Sequence, residues 1–380
     1  MYMKYNVLGR TGLKVSEIGY GAEHLEGKSF KEVDQVVNRA IDGGINIIDV
    51  FMPQAEVRTN IGKAIGHRRK DVILQGHIGA ALQADGQYLR TRDVDTSSTY
   101  VKDFLTRFNT DYIDLGMIHY VDTEEDFDLS FNSPFIDYVQ KLKRDGVIRY
   151  IGASTHDAAT GIKMVETGIV DMLLFSINPA FDLSPSSFDL GQMFEGKKLD
   201  KLEIEPTRQA FYNLCAAKNV GITVMKTLAA GRLLKEETSS LGYALSVPQC
   251  VSYALDRPAV ASVLLGAETV EEVDEALLYE KSTKEERDYA AVMELGMPLL
   301  GAKCMYCNHC LPCPVNIDIA AVTKFLDMVE VSDNELVRDH YNTLSSHASD
   351  CIECGICETN CPFGIEIIEN MRKAALVFGQ

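Results

Sequence analysis

No run of the 380-residue chain approaches the eighteen or so apolar residues of a membrane-spanning helix, which excludes that class of protein. The start, MYMKYNVLGRTG, lacks the basic, apolar and small-residue segments of a secretory signal, so a cytoplasmic protein is expected. Basic residues are scarce: 37 stand against 55 acidic ones, a formal net charge of −18. Such a field repels phosphate backbones and anionic membrane surfaces over roughly a Debye length of 8 to 10 Å, so neither nucleic acid nor a membrane is an expected partner. Prolines number only eleven, and 46% hydrophobic against 24% charged residues describe a core-forming chain, long enough for one large domain and a smaller one.

Short apolar, strand-like runs begin at Val15, Ile45, Asp71, Tyr112, Arg149, Asp171, Gly221 and Ala261, and amphipathic stretches separate them. Eight near-continuously apolar strands alternating with helices call for a parallel sheet buried on both faces. At this length a closed (β/α)8 barrel of the TIM type is the economical answer. An open doubly wound sheet is the alternative, but the first run is not followed by a G-x-G-x-x-G turn opening a helix. The apolar repeat at Val270, Val273, Leu277 and Leu278 closes the eighth unit, so residues 1–282 are expected to form the barrel. Residues 283–380 are expected to hold a linker helix and a second domain with too little apolar material to stand without a staple.

Eight of the ten cysteines fall in that second region. Cys304, Cys307 and Cys310 are spaced C-x-x-C-x-x-C ahead of Cys313-Pro314. Cys351, Cys354, Cys357 and Cys361-Pro362 repeat the arrangement. Thiolates at this spacing can each reach a different iron of one cubane, while the remote cysteine before proline ligates the other cluster. One 4Fe-4S cluster is therefore expected on Cys304, Cys307, Cys310 and Cys361, and a second on Cys351, Cys354, Cys357 and Cys313. The first motif has two residues rather than three before its last cysteine. Zinc is the alternative, but its sites use separated pairs. The result is a small ferredoxin-like, two-cluster iron-sulfur domain. Cys215 and Cys250 stand apart and read as small buried hydrophobes.

In a barrel of this kind chemistry belongs at the carboxyl ends of the strands. Glu23 and His24 follow the first run, Asp49 ends the second, His77 the third and His119 the fourth, and His156 follows the fifth. Four of the eight histidines thus converge on one rim.

The stretches LGRTGLKVSEIGYGAEHL, GGINIIDV, DYIDLGMIH, VIRYIGASTH, FSINPAFD, VMKTLAAGRLL and SVLLGAETVEEV resemble the aldo-keto reductase family, in its branch with a C-terminal ferredoxin-type domain. The resemblance implies an opening hairpin across the far end of the barrel, a nicotinamide at its mouth, and carbonyl reduction by Asp, Tyr, Lys and His. Asp49 and His119 match the first and last of that set. Gln54 stands where the family has its tyrosine acid, and His77 where it has its lysine. Ser154 matches a residue that would hold the nicotinamide amide, Asn178 sits at the end of the sixth run where the family has a cofactor contact, Lys226, Gly231 and Arg232 would grip a pyrophosphate, and Met225 replaces a stacking aromatic. Glu272, with Glu268 and Glu271 nearby, stands where an arginine would meet a 2′-phosphate, which favours NADH over NADPH. Lys226 paired to a carboxylate is the alternative reading of that position.

Three functions fit these residues. In the first, an oxidoreductase of an anaerobic or low-oxygen cell couples the two clusters to reduction or oxidation of a small organic substrate. Electrons come from a redox partner such as a ferredoxin, a nicotinamide or a flavin sits at the mouth, protons pass through His119 and His77, and His24 and His156 touch substrate. In the second, Asp49, His77 and His119 hold a single metal ion for a lyase, hydrolase or isomerase reaction. The third is a non-catalytic electron-transfer partner.

Overall fold

The computed structural model describes residues 3–182, 204–239, 241, 243–289, 304, 310–331, 338, 341–361 and 365–380. Eight parallel strands close into the expected barrel: β1 (Ile18–Gly21), β2 (Ile47–Val50), β3 (Ile73–Ile78), β4 (Ile113–Ile118), β5 (Ile148–Thr155), β6 (Met172–Ser176), β7 (Gly221–Met225) and β8 (Val260–Gly266). They pair in chain order, and the β8–β1 pairing, with Val263 opposite Ile18 and Gly266 opposite Gly21, seals the ring. Every residue of β2 and of β4 is buried, which is why the runs read as continuously apolar rather than alternating.

The helices between strands follow the amphipathic stretches and begin on side-chain caps. Ser29 and Glu32 close a capping box ahead of Phe30–Asp42, and Asp157 caps Ala158–Glu166 through the amide of Thr160. Two features escaped the sequence pattern: a two-stranded hairpin, Ala80–Leu82 with Tyr88–Arg90, and a helix, Glu124–Phe131. The run beginning at Val15 also divides. Lys14–Ser16 belongs to the opening hairpin with Tyr5–Val7, and only Ile18–Gly21 enters the barrel.

The opening hairpin is keyed to the amino-terminal ends of β6 and β7. Arg10 donates to the carbonyls of Gly168 and Val170 and lies 3.4 Å from Asp171. Gly9 and Gly221 meet backbone to backbone: a Cβ on Gly9 would come within 2.2 Å of the Gly221 nitrogen. Glycine is required there by proximity and by the positive φ of 46° at Gly9.

The chain divides into two compact units, Met1–Ala81 with Arg90–Pro298, and Leu82–Leu89 with Leu299–Gln380. The expected linker helix lies mostly outside the described residues. The second unit has its own small core, in which Cys310, Cys313 and Cys357 pack with Ile317, Val322, Tyr341, Ile367 and Met371. Tyr341 stacks on Phe378 at 3.8 Å between ring centres. Among the described residues no helix is long and apolar enough to cross a membrane.

Candidate active site and cysteine cavity

Asp49 on β2 and His77 on β3, with His119 just beyond β4, form a buried hydrogen-bonded chain at the carboxyl end of the barrel. His77 Nε2 lies 3.0 Å from Asp49 Oδ1, and His77 Nδ1 lies 2.7 Å from His119 Nδ1. Gln75, two residues before His77 on the same face of β3, donates to Asp49 Oδ1 at 2.6 Å and accepts from Thr223 Oγ1 of β7 at 3.1 Å. With Asp49 as acceptor, His77 Nε2 carries its hydrogen, so neutral His77 presents a lone pair at Nδ1 and the hydrogen between the rings belongs to His119. These tautomers are assigned from the network.

His119 is held in place on every side. Phe51 stacks on its ring at 5.7 Å and 13°, and Arg92 donates to the carbonyls of His119 and Tyr120 at 2.7 and 2.9 Å. Burial first, then the neighbouring His77, Arg92 and Arg90, push the His119 imidazole well below its ordinary range. The three residues proposed for a single metal ion therefore do not converge. Both ring nitrogens of His77 are turned toward the other two, and among the described residues no group of three His, Cys, Asp or Glu is gathered to hold a metal ion.

His156 stands beside this chain, with Tyr120 between them at 5.6 Å from His156 and 6.3 Å from His119. Its Nδ1 lies 2.9 Å from Asp122 Oδ2, while Asp122 Oδ1 accepts from the His156 amide and from Thr155 Oγ1. Burial alone would raise the Asp122 carboxyl, but His156 and these donors outweigh it and hold the group below the usual carboxylate range. His24 is exposed on the rim, its ring against Gly266 where any Cβ would clash with it. Gln54 caps the helix Ala55–Ile65 through its backbone, and its Oε1 is buried with no hydrogen-bond partner among the described residues.

The residues matched to a nicotinamide site are largely engaged within the fold. Ser154 Oγ accepts from the Tyr120 amide at 2.7 Å. Asn178 donates to the Lys226 carbonyl and accepts from the Phe181 amide. Lys226 Nζ lies 3.9 Å from Glu23 Oε2, the carboxylate pairing that was its alternative reading. Gly231 ends a left-handed turn in which Ala229 and Ala230 also have positive φ, 49° and 56°, and Arg232 is buried just after it. Glu272 accepts from the Glu268 amide at the start of the helix Val270–Leu277, and Glu268 is paired to Lys28 at 2.8 Å. The Ser154 hydroxyl and the Asn178 carboxamide are thus both already bonded to the protein.

In the second unit, Cys313, Cys351, Cys354 and Cys357 line one cavity, with Pro312, Ile317, Ile367 and Met371 among its walls. Four cysteines lining one cavity fit a polynuclear cluster, in which each thiolate would bond a different iron. Of the other expected set, Cys304, Cys310 and Cys361 are described and Cys307 lies outside the described residues. Cys215 and Cys250 are buried, and burial pushes each thiol up to about 12, so they are inert.

Sequence reasoning missed Gln75, Thr223, Asp122 and Arg92. The first had a signal: in a run as apolar as DVILQGH, a glutamine two places from a histidine shares its face. The other three had none, because their partners are distant in sequence.

Residues 17–249 match the Aldo/keto reductase family, and residues 303–366 match the 4Fe-4S dicluster domain. Among curated proteins, the "Uncharacterized oxidoreductase YqkF" of Bacillus subtilis (strain 168) is 28% identical over 291 residues, covering 72% of this chain and 90% of that protein. The "Aldo-keto reductase YhdN" of the same organism is 26% identical over 192 residues, 48% of this chain and 54% of that one. Among solved structures, the "aldo-keto reductase AKR11C1 from Bacillus halodurans (holo form)" is 22% identical with a TM-score of 0.60, covering 77% of this chain and 97% of that one. At that identity the likeness concerns the fold alone.

Proposed function

The chain belongs to the aldo/keto reductase family, carries a 4Fe-4S dicluster domain and is an oxidoreductase of that type, and from this premise we propose that it couples two 4Fe-4S clusters to oxidation or reduction of a small organic substrate at the barrel mouth. Its relatives' names, an oxidoreductase and an aldo-keto reductase, support a redox reaction on such a molecule. The observation that carries the reading is the buried chain from Asp49 through His77 to His119. His119 serves as the catalytic acid–base group, neutral at rest with its Nδ1 hydrogen donated to His77. His77 and Asp49 are positioning residues that fix its tautomer and stabilise the imidazolium formed when His119 takes a proton. Gln54 in place of a phenol and His77 in place of a lysine belong together, since the proton path runs through imidazoles instead.

Cys313, Cys351, Cys354 and Cys357 would hold one cluster, and Cys304, Cys307, Cys310 and Cys361 the other. When bound, the clusters supply or accept single electrons, and a nicotinamide, NADH rather than NADPH, or a flavin supplies a hydride. Lys226, Gly231, Arg232, Ser154 and Asn178 are the residues assigned to that organic cofactor, and His24 and His156 to substrate. Residues 1–282 are taken as the barrel domain and 283–380 as the linker and cluster domain, working in the cytoplasm of an anaerobic or low-oxygen cell with a one-electron carrier such as a ferredoxin.

Anaerobic purification with a full inventory of bound cofactors tests this. Roughly eight irons per chain and a copurified nicotinamide or flavin are expected. A colourless, iron-poor preparation overturns it.

A further inference from the structure

The outer edge of the Cys313, Cys351, Cys354 and Cys357 cavity combines three features. Cys354 is exposed, whereas Cys313 and Cys357 are buried and Cys351 is intermediate. On either side of Cys354 in the chain, Ile352 and Ile356 are 59% and 43% exposed, and Ile352 also lines the cavity. Around this segment the charge is acidic: between residues 350 and 373 stand Asp350, Glu353, Glu358, Glu366 and Glu369 against Arg372 and Lys373. Several of these carboxylates are fixed rather than mobile. Arg372 clamps Glu353 at 2.9 and 2.7 Å, Glu358 accepts from the Ile368 amide, and Asp350 accepts from the His347 amide.

Resting on the cluster assignment above, we propose that Ile352, Cys354 and Ile356 form the docking face for a one-electron carrier protein with an apolar contact patch and a basic rim, a cationic carrier in place of an acidic one of the ferredoxin kind. Electron transfer between proteins weakens steeply with distance, so the exchange belongs at the edge where a cluster ligand reaches the surface. Two isoleucines spared from the core at that edge give a partner something to desolvate. The fixed carboxylates, within a chain of net charge −18, steer a cationic partner and repel an anionic one. One electron crosses in each encounter: the carrier is oxidised as the cluster is reduced, or the reverse, and no bond is made or broken. Such an encounter needs little buried area, which two isoleucines and their surroundings suit.

The test uses the full chain, reduced anaerobically and desalted, mixed rapidly with ferric cytochrome c in its native, basic form and in its succinylated, acidic form. The haem is the same and the charge opposite. The native form is expected to react at least ten-fold faster at low salt, and its advantage to shrink as ionic strength rises from about 20 to about 300 mM. The Ile356→Asn variant, whose side chain is not among the cavity walls, is expected to slow the native form about five-fold or more at unchanged iron content and unchanged cluster spectrum, and Glu366→Lys to slow it further. Equal rates with the two forms, or an unaffected Ile356→Asn variant of full iron content, overturn the docking face while leaving the clusters standing. An unmodified chain that carries no iron overturns the cluster assignment itself, and the docking face with it.

Discussion

Gln75 and His77, two residues apart on one face of β3, both reach the same oxygen, Asp49 Oδ1, at 2.6 and 3.0 Å. The carboxylate is thereby pinned from two directions before it orients the imidazole chain, and Thr223 fixes Gln75 in turn. Orientation of this kind is what lets a buried histidine act as an acid–base group instead of a packing element.

His77→Phe keeps the ring's bulk and removes both hydrogen bonds. Turnover of an aldehyde or alcohol that the unmodified enzyme accepts, followed with a viologen dye as electron carrier, should fall on the order of 100-fold. Asp49→Asn should cost a comparable factor, and the double variant little more than either, because the chain acts as one unit. Iron content should stay unchanged. Full activity in His77→Phe would overturn the imidazole chain as the proton path.

Stability should decline in mild acid through His119. Its ring titrates near 6.5 when unfolded and well below that when folded, so the unfolded chain binds the extra proton first. Stability is then level above about pH 6.5 and falls by up to about 1.4 kcal/mol per pH unit below it. Urea midpoints measured from about pH 7.5 down to about pH 5 should show this slope, and His119→Leu should lose that part of it.

Cys313→Ala should cost one cluster and spare the other, taking iron from roughly eight to roughly four atoms per chain. Iron analysis and electron paramagnetic resonance of the reduced protein check this. Cys215→Ala and Cys250→Ala should leave both readings as they were.

Asp182 carries a heavier structural burden than its place outside the catalytic chain suggests. Fully buried, it accepts from Arg208 at 2.6 Å, from Tyr212 at 2.7 Å and from Tyr253 at 3.3 Å. Asp182→Asn leaves the Arg208 guanidinium buried without its counter-charge, and chemical denaturation should show a loss of about 3 to 5 kcal/mol.

The barrel was legible in the sequence because its strands are buried on both faces and so declare themselves as apolar runs, and because Ser29, Asp157 and similar caps mark where helices begin. The hairpin around Gly86 and the helix Glu124–Phe131 were not, since a rim insertion adds no term to the strand–helix alternation. At the mouth, Asp49, His77 and His119 could be picked out as ionisable residues ending apolar runs. Their order in a line, His77 in the middle with a neighbour on each nitrogen, could not, because it depends on how adjacent strands of a closed ring face one another. A set of ligand types that reads equally well as a metal triad is resolved only by direction.

The left-handed turn at Ala229, Ala230 and Gly231 has its own corollary. Two alanines held where glycine is at ease each carry about 1 to 2 kcal/mol of conformational cost. Under random mutagenesis these two positions should drift toward glycine and asparagine and shun valine and isoleucine, so that sequence variation alone would report the handedness of the backbone there.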